Sequence, residues 1–138
     1  MEGILFSFFN KKKSNQPNWV EMLPREFSEA LLKEIKNNPQ ACNSDVIPQG
    51  YGHFGLDKTN PVPVYGIPSS KFYLDRLKYK DGNYIRYRRN RNLTVSNITN
   101  LIDEYDIFND HGEKICMLYI SPYHWKTSEK APDGFYLD

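Results

Sequence analysis

The densest chemistry in the chain lies between Arg76 and Arg91, where seven basic side chains accompany a single acidic one, Asp81. Within it, Tyr84, Arg86, Tyr87, Arg88, Arg89 and Arg91 interleave guanidinium forks with phenol rings. Guanidinium groups pair with carboxylate or phosphate, and aromatic rings fill pockets or stack on bases, so the set suits an acidic protein surface or single-stranded RNA. On a regular strand Tyr84, Arg86 and Arg88 share one face, and Ile85, Tyr87, Arg89 and Arg91 the other. The intramolecular alternative is that Asp103, Glu104 and Asp106 of the next apolar run, with Asp110 and Glu113 nearby, face these arginines across strands and neutralise them.

A second set is His53, Asp57 and His124. Two imidazoles and a carboxylate could hold a divalent metal or serve as general acid and base, provided the irregular segments that carry them meet. Single histidines flanked by aromatics, as in Tyr123-His124-Trp125, are also ordinary packed residues. Gly50-Tyr51-Gly52-His53-Phe54-Gly55 has the G-x-G-x-x-G spacing of a dinucleotide loop. That mechanism needs a helix to begin there, and Asp57, Asn60, Pro61 and Pro63 forbid it, so the glycines are expected to serve turns and no cofactor is expected. G-x-S-x-G, Walker, H-E-x-x-H and C-x-x-C motifs are absent. Neither Cys42 nor Cys116 has a charged sequence neighbour to activate it, and the chain reads as noncatalytic.

Elements that would position these residues follow from periodicity. Phe27, Leu31 and Ile35 recur every four residues between Pro24 and Asn38, an amphipathic helix opened by Pro24 and ended before Pro39. Gln40 to Ser70 is too rich in Pro and Gly for long elements, and Tyr51, His53, Phe54 and Tyr65 are the residues available to pin it. A short helix follows, through Phe72, Tyr73, Leu74 and Leu77, then a turn and a strand from Tyr84 to about Arg91; a hairpin about Asp81-Gly82 is the competing reading. Leu101 to Phe108 and Lys114 to Ile120 form two more strands, joined by a bulged loop in which Gly112 takes the left-handed conformation. The expected fold is α+β: a small antiparallel sheet of about three strands or more, one main helix packed on it, and long Pro/Gly-rich loops.

Composition narrows function further. The 138 residues suit one domain, 19–138, preceded by an apolar start and polar linker, 1–18. Eighteen basic residues against seventeen acidic ones leave a formal charge of +1, so no overall field draws the chain to nucleic acid or an anionic membrane. A protein partner is therefore the leading expectation. At the start, Ile4, Leu5, Phe6, Phe8 and Phe9 precede Lys11, Lys12 and Lys13, an order that suits a short interfacial anchor over residues 4–13 but equally a strand or a cap on the core. The positive charge follows the apolar run, unlike a secretory signal, and two cysteines need no disulfide in a chain of this size, so a cytoplasmic location is expected.

Gly50-Tyr-Gly-His-Phe-Gly-Leu-Asp57, Asn60-Pro-Val-Pro-Val64, Tyr73-Leu-Asp-Arg-Leu77, Tyr119-Ile-Ser-Pro-Tyr-His124 and Ala131-Pro-Asp-Gly-Phe135 together resemble a group of small uncharacterised bacterial proteins. The resemblance spans roughly residues 50 to 135 and implies a bacterial origin, with no activity, substrate or cofactor attached.

Overall fold

The computed structural model describes residues 24–138; the expectations for the apolar start, the linker and the beginning of the domain at Trp19 fall on residues outside this range. Helix α1 spans Arg25–Lys36, β1 Val62–Pro63, α2 Ile67–Asp75, β2 Leu77–Tyr79, β3 Arg86–Val95, β4 Ile98–Phe108, β5 Lys114–Ser121 and β6 Phe135–Leu137. Four strands form a sheet in the order β1-β5-β4-β3, and β2 pairs with β6 in a separate ribbon. The fold is α+β. Among the described residues no helix is long and apolar enough to cross a membrane.

The antiparallel meander β3-β4-β5 forms the centre of the larger sheet, and β1 adds a parallel edge through Val62↔Ile120 and Pro63↔Ser121. A proline is compatible with β1 because an edge strand can forgo one ladder donor. The β4–β5 loop has the expected geometry: Gly112 has φ +86°, and its N–H donates to Asn109 O at 3.0 Å. Both readings of residues 67–85 contribute to the fold. Helix α2 ends at Asp75, β2 follows at once, and Lys78 bridges Tyr84 around the turn that contains Gly82.

Period-two alternation along β4 separates two apolar clusters. On one face Tyr105 and Ile107 join Leu118, Ile120, Val62, Val64 and the buried Tyr73 and Leu74 of α2. On the other, Ile102 packs with Ile47, Val95 and Ile98. Of the two helices among the described residues, α2 is the more deeply buried, with five enclosed residues against Ile35 alone in α1. Sequence amphipathicity reports a half-wet helix such as α1; α2, covered on more sides, has no comparable stripe.

Phe54 is the aromatic that pins the 40–70 segment, entering the larger cluster while Tyr51 and His53 stay in water. The neighbouring backbone passes so close that a Cβ on Gly55, which has φ +74°, would lie 2.9 Å from Pro132 Cγ and 3.1 Å from Val62 Cγ2. Asn97, in the tight β3–β4 turn, fixes the same loop by donating its amide to Gln49 O at 3.0 Å and Thr59 O at 2.8 Å.

Candidate functional site

The arginine row lies on β3, a ten-residue strand at the edge of the sheet among the described residues. Its register against β4 shifts between Arg89 and Arg91, so Asn90 is an extra residue. The shift changes which side chains share a face. Arg86, Arg88 and Arg91 stand opposite Phe108, Asp106 and Glu104, whereas Tyr87, Arg89 and Asn92 stand opposite Ile107, Tyr105 and Asp103. Strict alternation assigned Arg91 to the Arg89 face, and the bulge at Asn90 moves it across. Tyr84 lies before the strand, in the bridge to Lys78.

Most of the row already has a partner. Arg88 Nη2 pairs with Asp106 at 3.0 Å, Arg89 Nη2 with Asp103 at 2.8 Å and Arg91 Nε with Glu104 at 2.9 Å, while Lys114 from β5 reaches the other oxygen of Asp106 at 3.2 Å. Asn90 donates its amide to Glu104 at 2.7 Å. The cross-strand alternative therefore holds for Asp103, Glu104 and Asp106. Asp110 and Glu113 take no part: Asp110 faces His111, and Glu113 accepts from Asn109. The tyrosines are tied as well, Tyr87 Oη donating to Asp75 at 2.6 Å and Tyr84 Oη to the Asp138 carboxylate. Desolvation and the Asp75 bond raise the Tyr87 phenol well above its ordinary value, so its ring keeps its proton. Arg86 alone of the six has no ion pair or hydrogen bond among the described residues.

The clasp is asymmetric. The side chains of Asp106, Asp103 and Glu104 are only 7, 9 and 4% exposed, whereas those of Arg88, Arg89 and Arg91 remain 72, 52 and 66% exposed. The acids lie beneath and the guanidiniums outside. Hydrogen bonds from Arg88 and then Lys114 hold Asp106 below the usual carboxylate value. Burial pushes Glu104 the other way, but donors from Arg91, Tyr119 and Asn90 outweigh it and the net direction is down. A molecule approaching β3 meets the outer edges of the three guanidinium groups first.

Beside this row, between the end of α1, the start of α2 and the β3–β4 hairpin, lies an open cleft of about 410 Å³. Arg89, Asn92 and Asp103 form its sheet side, Glu34 its α1 side, and the half-exposed Ile67 and Leu101 supply apolar surface.

The second candidate set is not assembled. His53 is exposed and meets Asp57 through its backbone: its N–H donates to Oδ2 at 2.7 Å and its carbonyl accepts from the Asp57 N–H at 3.0 Å, closing a turn. His124 is fully enclosed: its Nδ1 accepts from the Cys42 N–H at 3.1 Å and its Nε2 lies 2.8 Å from Ser121 Oγ. Since Nδ1 accepts, the ring proton is on Nε2, and both nitrogens are spent within the fold. Burial lowers its pKa to about 4, leaving a neutral ring at pH 7. Among the described residues no three His, Cys, Asp or Glu side chains lie where they could hold a metal. Of the set His53, Asp57 and His124, one imidazole is thus a packing residue and the other lies in an exposed turn. Cys116 is half-buried, and desolvation pushes its thiol up to about 11, the opposite of activation.

What sequence reasoning missed was the outward edge of β3. No backbone group from Arg86 to Val95 bonds to anything beyond β4 among the described residues. A long run of exposed polar residues bounded by a tight hairpin was the available signal, since charged side chains on both faces of a strand are a mark of a sheet edge. No family model, curated protein or solved structure matches the chain.

Proposed function

We propose that this is a noncatalytic bacterial protein of the cytoplasm that binds a protein partner, as an immunity-type or adaptor protein does, and that β3 is its docking edge. One observation carries the reading: a ten-residue edge strand, seven of its residues exposed, has outward backbone groups without a bond among the described residues and guanidinium groups outermost. An added strand satisfies such a backbone, and the arginines discriminate among strands by charge. Support has moved from the phenol rings, which are tied internally, to the main chain. The enclosure of His124 supports this reading over the enzyme alternative at His53, Asp57 and His124, and the internal ties of the Tyr84 and Tyr87 hydroxyls support it over RNA binding.

The test is photo-crosslinking in cells, with a photoreactive residue at Asn92 on β3 or at His111 on the β4–β5 loop. A discrete protein adduct is expected from position 92 and not from 111, and is expected to vanish when Arg86, Arg88 and Arg89 are replaced together by Ser. An adduct that survives those replacements, or equal labelling at the two positions, overturns the reading.

A further inference from the structure

The edge and the cleft adjoin, and their chemistry differs by face. Arg86, Arg88 and Arg91 mark one face of β3; Arg89 and Asn92, on the other, lead into the cleft where Ile67 and Leu101 are half-exposed. A strand laid along β3 would send alternate side chains to these two environments. On the first face the cations stand outermost over buried acids, which favours carboxylates. On the second, a short apolar side chain can cover Ile67 and Leu101 beside Arg89 and Asp103, which already satisfy each other, with the Glu34 carboxylate left at the α1 rim of the cleft. A second copy of the chain is a poor occupant, because antiparallel β3 edges would bring two arginine rows together.

We infer that β3 accepts, as a fifth strand, an extended segment of another protein in which acidic residues alternate with small apolar ones. The acids meet Arg86, Arg88 and Arg91, and an apolar side chain seats in the cleft against Ile67 and Leu101. This rests on reading β3 as a docking edge.

The experiment titrates the full chain with soluble peptides of about ten residues, the length of one strand, alternating Glu and Val, Lys and Val, or Glu and Ser. Binding is read by amide hydrogen exchange and fluorescence anisotropy. The Glu/Val peptide is expected to slow exchange across Arg86–Val95 and to weaken as salt rises from about 50 to about 300 mM, where screening shortens to within a few ångströms. The Glu/Ser peptide should bind about tenfold more weakly for want of apolar burial. Arg86→Glu should weaken the Glu/Val peptide about tenfold and Leu101→Ser about fivefold, both sites being exposed enough to leave folding intact. Equal binding of Lys/Val, protection away from β3, or protection of β3 by an oligouridine in place of the peptides overturns the inference. If no peptide protects β3 while the crosslink at position 92 persists, the acidic-apolar class fails and the docking edge stands; loss of that crosslink removes both.

Discussion

The β3–β4 ribbon and the junction around His124 are both built from titratable side chains whose partners are intramolecular, yet they differ in what lies outside. In the ribbon, charged groups meet at the surface and the cations stay half or more in water. At the junction one neutral imidazole is sealed between Cys42 and Ser121, within a chain segment that bonds to the residue after β1 and to the 42–47 loop through His124 N–H to Val64 O, Trp125 N–H to Cys42 O and Ser128 Oγ to Asp45 O. An exposed ion cluster contributes little to folding and remains available to a partner. A dry, satisfied network contributes much and offers a partner nothing.

Removing the imidazole is the most damaging way to probe this difference. His124→Ala leaves the Cys42 N–H and the Ser121 hydroxyl without their partner in a buried site and opens a cavity, so it is expected to cost about 3 to 4 kcal/mol in urea unfolding. A loss below about 1 kcal/mol would mean that water already serves the junction, and the contrast with the ribbon would collapse.

Acidity separates the regions without mutation. The pKa of His124 is about 4 in the fold against 6.5 unfolded, so below pH 6.5 the unfolded chain takes up a proton that the folded chain refuses until about pH 4. Stability from this group is therefore complete above pH 6.5 and falls by about 3 kcal/mol as the pH drops to 4, at about 1.4 kcal/mol per unit. Asp106 and Glu104, held below their ordinary values of 3.8 and 4.5, contribute stability that is present above those values and lost only as the pH falls beneath them. The junction yields first and the ribbon second. Urea midpoints of the wild type should decline from pH 6.5 to about 4.5 where those of His124→Ala stay flat, and a matching decline in the variant would assign the loss elsewhere.

Legibility in the sequence followed the same division. The α1 periodicity of Phe27, Leu31 and Ile35, the left-handed Gly112 and the placing of Asp103, Glu104 and Asp106 across from the arginine row depend on spacing within or between adjacent elements, and each could be read. Asn90 could not: a bulge is one extra residue in an otherwise regular register, and neither its type nor its neighbours announce it. The enclosure of His124 depends on Cys42, 82 positions earlier, and the parallel pairing of β1 with β5 on a comparably distant contact, so no local pattern encodes either. The proposed docking edge was half legible. The basic residues stood out at once, but their status as the outermost layer over buried acids required the coordinates.

The gentlest probe is Arg89→Ser, and it bears most directly on the proposal. Arg89 directs both Nε and Nη2 to one oxygen of Asp103, at 3.2 and 2.8 Å, a geometry that would be costly to break in a dry interior. Here Asp103 also lines the open cleft, so water can replace the guanidinium once it is gone. The expected loss is about 0.2 to 1 kcal/mol, typical of an exposed pair, with a urea midpoint close to that of the wild type. A loss above about 2 kcal/mol would show that Asp103 is effectively dry, making the ribbon a structural network of the same kind as the junction. In that case the arginines could not turn toward an incoming carboxylate without destabilising their own sheet, and β3 would be a guarded edge instead of a receptive one.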